Sequence, residues 1–193
     1  MLDLNHTFCR VNENNLKSVE EIKKLLNKKD FYHAEKELLK VIKIKKNNYY
    51  AHFLLGNIFA LIKKFENAIE QYEISNQLKP NNLEIIYNLG VMYGEKDELN
   101  KSKNCFEKVI SLDNNDLNAN LALAKIYERQ NNYEQAKFFY KKTLSIKKDF
   151  ILANQIYGKF LIKIGEINNG QYYNYKYSGI IRFNDKGANI INE

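Results

Sequence analysis

Histidine and cysteine are the side chains best suited to hold a metal or attack a carbonyl, and this chain has three of the first and two of the second. His6, His33 and His52 fall into no HExxH or mixed Cys/His set at ligand spacing, so a zinc site has no support. Cys9 and Cys105 lie far apart, outside any CxxC metal or redox spacing, and read as reduced thiols. Gly56-Asn57 and Gly90-Val91 do not sit in a glycine-rich loop that could cradle phosphate. Acidic neighbours such as Glu20-Glu21 read as a solvated helix face rather than an acid–base pair. The expectation is no catalytic residue, no metal, no cofactor and no enzyme activity, with His33 opening a helix and His52 packed.

The scaffold that positions these residues is helical. The 193 residues are 45% hydrophobic, enough to bury a core, while one proline, eight glycines and no tryptophan argue against turn-dense β sandwiches and collagenous chains. The net charge of +7 invites a nucleic-acid reading. Its distribution weakens that reading: Lys plus Arg against Asp plus Glu runs 10 to 5 over residues 15–48, 4 to 7 over 83–116 and 7 to 3 over 117–150. An acidic block interrupts the basic ones. Lys, Asn and Ile, all residues of AT-rich codons, crowd the chain, which accounts for much of the basicity without selection for phosphate.

Internal self-similarity organises the chain. Gly56, Gly90, Ala124 and Gly158 stand 34 residues apart without a gap, with Ile22 in the same phase one step earlier. Other columns keep step: Leu25, Phe59, Tyr93, Tyr127, Leu161; Ala34, Ala68, Ser102, Ala136, Gly170; and Leu38, Tyr72, Phe106, Tyr140, the last ending at Asn174. Each unit reads as two helices, A then B, whose small residues permit close crossing. One pair cannot bury its own apolar faces, so neighbours must stack. Helices A are expected near 15–27, 49–62, 83–95, 117–130 and 151–164, each followed by a helix B. Turn signals between A and B fall in phase at Lys28-Lys29-Asp30, Lys63-Lys64, Glu95-Lys96-Asp97, Gln130-Asn131-Asn132 and Gly165-Glu166.

This pattern resembles the tetratricopeptide repeat (TPR) family, whose motif is W-x2-L-G-x2-Y, A-x3-F and then P. Residues 49–82 match at Leu55-Gly56, Phe59, Ala68, Tyr72 and Pro80, and residues 83–116 at Asn88-Leu89-Gly90, Tyr93 and Phe106. The tryptophan position is filled instead by Ser18, His52, Ile86, Asn120 and Asn154. The resemblance implies an all-α, right-handed superhelical array of about five antiparallel helix pairs, a tetratricopeptide α-solenoid with a C-terminal capping helix. The expected layout is an N-terminal tail at 1–14, repeats at 15–48, 49–82, 83–116, 117–150 and a degenerate 151–184, then a C-terminal tail at 185–193. The capping helix would run from Ile167 to Tyr177 with Gly179 as its stop, and Ile180-Ile181-Arg182-Phe183 would fold back over the open end.

The resemblance also implies a concave groove lined by helices A. Carried onto this sequence, a peptide-binding groove falls on Tyr50, Phe53, Asn57, Tyr87, Asn88, Leu121, Lys125, Arg129, Lys159 and Lys163, with Glu84 and Glu128 among the neighbouring groove positions. Its first half is aromatic and amide-bearing, its second cationic. The carboxylate clamp of the chaperone-binding subgroup, two Lys-containing pairs around an Asn, would fall on Phe53, Asn57, Asn88, Asn118 and Ala122. Only Asn57 and Asn88 survive, and both are repeat-consensus residues, so chaperone-tail binding is disfavoured.

The function that follows is a non-catalytic scaffold binding a protein or peptide segment with acidic and apolar residues in the groove. Two other readings stay open: an accessory repeat module of a glycosyl-, sulfo- or methyltransferase system, and RNA binding through basic helices, with nucleic acid disfavoured. The N-terminus carries no signal-like apolar run and no segment approaches the roughly 20 residues that span a bilayer, so no membrane partner and a cytoplasmic location are expected. Oligomeric state is left open.

Overall fold

A computed structural model of the chain describes residues 13–175, 182–184 and 187–189. Ten helices follow the expected phase: α1 (Glu13–Asn27), α2 (Phe31–Ile44), α3 (Tyr49–Leu61), α4 (Phe65–Leu78), α5 (Leu83–Glu95), α6 (Leu99–Leu112), α7 (Leu117–Arg129), α8 (Tyr133–Ile146), α9 (Ile151–Lys163) and α10 (Ile167–Tyr175). Odd-numbered helices are the A members and even-numbered ones the B members of five pairs. None of the helices among the described residues is long and apolar enough to cross a membrane.

The same short-range chemistry starts and stops each pair. Helix A begins on a side-chain cap at Asn48, Asn82 and Asp116, whose Oδ1 atoms accept the backbone N–H of Ala51, Ile85 and Ala119 at 3.1, 3.1 and 2.7 Å. These caps satisfy N–H groups that a helix start leaves without partners. Phe150 holds the equivalent place before α9 and makes no side-chain cap; its ring packs on the second unit's core instead. Helix A ends each time on a residue with positive φ, 34 positions apart: Lys29 (58°), Lys63 (60°), Asp97 (61°), Asn131 (57°) and Gly165 (89°). The next N–H then closes back on the last turn, as Lys64 does on Phe59 at 2.8 Å and Glu98 on Tyr93 at 2.9 Å. This is the Schellman stop, and four of its five left-handed residues are not glycine.

The chain divides within α5, at Ile85/Ile86, into two compact units. In the first, Ile22, Ala34, Leu38, Ala51, Leu55, Ile58, Ala68 and Tyr72 are buried. A Cβ on Gly56 would lie 2.7 Å from the Tyr72 ring, so the small column does mark the crossing of α3 and α4. In the second, Leu121, Ala124, Ala136, Tyr140, Ala153, Tyr157, Phe160 and Leu161 form one apolar cluster. The Tyr140 ring sits 5.4 Å from Tyr157 and 5.1 Å from Phe160. Gly90 faces Cys105 and Phe106, while Gly158 meets the backbone of α10 directly.

Two short strands follow the last helix. β1 (Arg182–Asn184) pairs antiparallel with β2 (Gly187–Asn189), Phe183 opposite Ala188. Of the segment expected to fold back, Arg182 and Phe183 belong to β1; Ile180, Ile181, the Gly179 stop and residues 1–12 lie outside the described residues.

Candidate functional site

The residues expected to line a groove all lie on A helices, divided between the two units. In the first unit, Tyr50 is half-buried and stacks on Phe53, ring centroids 6.2 Å apart. Phe53 is 5% exposed and also touches Tyr72. Asn57 is buried, and its Oδ1 accepts the Tyr72 hydroxyl at 2.6 Å, which ties the amide to the core. Glu84 occupies the position of Tyr50 one repeat on, still within the first unit. Glu84 is exposed, yet neighbouring atoms partly shield its carboxyl from water and hold it above its ordinary range. Burial, and then the Glu84 charge, push the Tyr50 phenol up.

In the second unit, Tyr87 is half-buried against Phe106 at 5.2 Å. Burial, then the charge of Asp116, raise its phenol. Asn88 and Leu121 are each only 5% exposed, and Leu121 belongs to the apolar cluster. Lys125, Arg129, Lys159 and Lys163 are all exposed on α7 and α9, with Lys125 and Lys159 at one repeat position and Arg129 and Lys163 one turn later.

These four cations are not equivalent. Arg129 reaches back to the preceding repeat, donating to the Gly94 carbonyl at 3.0 Å and pairing with Asp97 at 2.7 Å. Lys163 does the same to Glu128 at 3.0 Å. The hydrogen bond from Lys163 to Glu128, and then the opposite charge, raise the lysine's pKa. Glu128 also accepts the Tyr140 hydroxyl at 2.9 Å, and burial with that bond drives the phenol far above its usual range. Lys125 and Lys159, by contrast, make no hydrogen bond or ion pair among the described residues. A patch of four cations, read from sequence, resolves into two that tie neighbouring repeats and two that project freely.

In the sequence Glu128 reads only as a groove position and Asp97 only as a turn residue, although both recur near 34 residues before the cation they bind. The tryptophan column likewise reads as vacated. Asn120 Nδ2 donates to the carbonyls of Asn114 and Asp116 at 3.2 and 2.8 Å, and Asn154 Nδ2 to those of Lys148 and Phe150 at 2.9 and 3.0 Å. His52 is packed as expected, its Nε2 3.1 Å from the Lys46 carbonyl and its Nδ1 2.8 Å from Gln71. Position for position, these polar side chains anchor the loop that enters helix A. His33 opens α2, where its N–H meets the capping carboxylate of Asp30.

Five A–B helix pairs in strict 34-residue phase define a helical repeat protein of the solenoid class. The tetratricopeptide repeat model matches residues 49–82, 83–116 and 117–150, and the chain belongs to the tetratricopeptide repeat family. The fold class expected from sequence, an all-α tetratricopeptide solenoid of about five helix pairs, is the one observed. Among solved structures, MamA is similar at 27% identity over 81% of this chain and 92% of its own, with TM-score 0.75. PilW, a type IV pilus biogenesis factor, shares the fold at 18% identity over 89% and 81%, TM-score 0.76. A tetratricopeptide repeat protein from Parabacteroides merdae does so at 20% identity over 86% and 67%, TM-score 0.78. No curated protein sequence matches the chain.

Proposed function

We propose that this chain is a non-catalytic interaction scaffold that binds a protein or peptide segment on its helix A walls, the aromatic wall taking apolar side chains and Lys125 with Lys159 taking acidic ones. Membership of a family built to present repeated helix faces supports a binding role over an enzymatic one. The observation that carries the acidic preference is the contrast among the four cations. Arg129 and Lys163 are matched by the chain's own acids, whereas Lys125 and Lys159 stand exposed at one repeat position with none. An exposed ion pair contributes little alone, so these lysines steer a partner more than they hold it. Half-buried Tyr50 offers the first unit's anchoring area, a rigid ring backed by the buried Phe53 that loses little entropy when covered. Such a scaffold would work where its partner is, and the sequence expectation for that compartment is the cytoplasm. Photo-crosslinking residues placed at 125 and 159 should capture the partner, while one placed at the loop residue Lys147 should not. Equal capture from all three positions would remove the helix A wall as the site.

A further inference from the structure

The outer face of α2 and the loop after it carry a second surface, away from the helix A wall. Between Lys36 and Lys46 the chain has five lysines and a single acid, Glu37, and residues 38–65 contain neither Asp nor Glu. Lys40 pairs with Glu37 at 2.7 Å. Lys36, Lys43, Lys45 and Lys46 make no ion pair among the described residues, and all four are exposed. Set among them is Ile44, 87% exposed, with Leu39 at 49% and Tyr32 at 72% on the same helix. The spacing of Tyr32, Lys36, Leu39 and Lys43 places them on one stripe, Ile44 projects from the helix end about 100° further round, and Ala34 and Leu38 point into the core.

We propose that this face docks on an anionic lipid surface, its lysines over the phosphates and Ile44 with Leu39 seated at the boundary of headgroups and acyl chains. The combination of residues is what selects the partner. A cluster of lysines satisfies any polyanion, but an aliphatic side chain projecting from the middle of that cluster gains free energy only where an apolar medium lies just beneath the charges. Nucleic acid offers no such layer. Its recognition leans on the planar fork of arginine and on stacking rings, and there is no arginine between residues 11 and 128. Tyr32 fits the same interface, with an apolar body and a polar tip. Docking of this kind lies on the membrane and needs no spanning segment. It involves a helix B, so it neither requires nor blocks peptide binding by helices A.

The test is flotation of the full chain with vesicles of phosphatidylcholine alone and of phosphatidylcholine with phosphatidylserine, at low and high salt. The chain should float with the anionic vesicles, lose most of that binding at high salt, and ignore the neutral ones. Each lysine near such a surface contributes roughly fivefold in affinity. Reversing Lys43 and Lys45 to glutamate should therefore lower binding by about a hundredfold or more, and Ile44→Ser should weaken it while leaving the salt dependence intact. All three positions are exposed, and circular dichroism should show unchanged helicity. The proposal is overturned if the chain stays with the pellet in every vesicle mixture, if neutral vesicles bind as well as anionic ones, if the reversal has no effect, or if single-stranded RNA is retained while anionic vesicles are not.

Discussion

Gly158 and Gly170 bring the backbones of α9 and α10 into contact: a Cβ on Gly158 would come within 2.6 Å of the Gly170 carbonyl oxygen and of the Asn174 amide nitrogen. At Gly56 the same added atom would meet the Tyr72 ring at 2.7 Å, and at Gly90 Cys105 Cβ at the longer distance of 2.9 Å, which moves only with its own helix. Backbone cannot give way as easily. Gly158→Ala should therefore lower the melting temperature more than Gly90→Ala does, with a cost of about 1–3 kcal/mol or more. Gly90→Leu, which must displace Phe106 as well, belongs in the same range. Thermal melts of the three variants decide the order, and equal shifts would show that the last pair is not the tightest.

The left-handed turn residues predict gains. Lys29, Lys63, Asp97 and Asn131 adopt positive φ where Gly165 has the residue best suited to it. A side chain there costs about 1–2 kcal/mol, partly offset because glycine also loosens the unfolded chain. Lys63→Gly should raise stability by about 0.5–1 kcal/mol in urea titration. A loss of that size would mean the lysine contributes contacts that outweigh the strain.

Ser102 reverses an expectation drawn from helix propensity. Alanine forms helix better, which favours Ser102→Ala by a few tenths of a kcal/mol. The structure shows the hydroxyl buried and donating to the Gly90 carbonyl at 2.7 Å, a bond worth about 0.5–1.5 kcal/mol. Ser102→Ala should thus destabilise by up to about 1 kcal/mol. A neutral or higher midpoint restores the propensity argument.

Glu166, where the last turn enters α10, accepts the Lys137 ammonium and the Asn169 amide, and these hold its carboxyl below the ordinary glutamate range. A carboxyl depressed in the folded state adds stability that is complete above its unfolded pKa and lost as pH falls through the folded value. Melting temperature followed from neutral to acidic pH should fall less steeply in Glu166→Gln than in the parent. Parallel curves would show that the pair is not maintained in solution.

The fold was legible because its determinants are periodic and local. The small-residue columns Gly56 to Gly158 and Ala34 to Gly170, with the aromatic column ending at Tyr140, set helix crossings through sterics that a residue's size alone reveals. Cap and turn positions repeat for the same reason. For the candidate site, the repeat phase assigns residues to helices A but says nothing of their surroundings. Lys125 and Arg129 look alike in sequence, and what separates them is Asp97, a turn residue on the neighbouring repeat whose reach depends on helix stacking. The loop anchors at Asn120 and Asn154 were hidden likewise, because a vacated tryptophan position suggests loss of packing and gives no hint of bonds to carbonyls six residues back. The strand pair at 182–184 and 187–189 straddles the end of the degenerate last repeat, where the columns have already lapsed and periodicity carries little information.

The central claim is that Lys125 and Lys159 recruit an acidic segment of a protein partner. It is tested most directly by affinity capture on the parent chain, on the double reversal Lys125→Glu/Lys159→Glu, and on Arg129→Ala. The account predicts that the double reversal loses the captured partner with helicity unchanged, that capture by the parent weakens with salt as screening shortens the reach of exposed charge, and that Arg129→Ala retains it. Retention of the same partner at the same yield by the double reversal would contradict it.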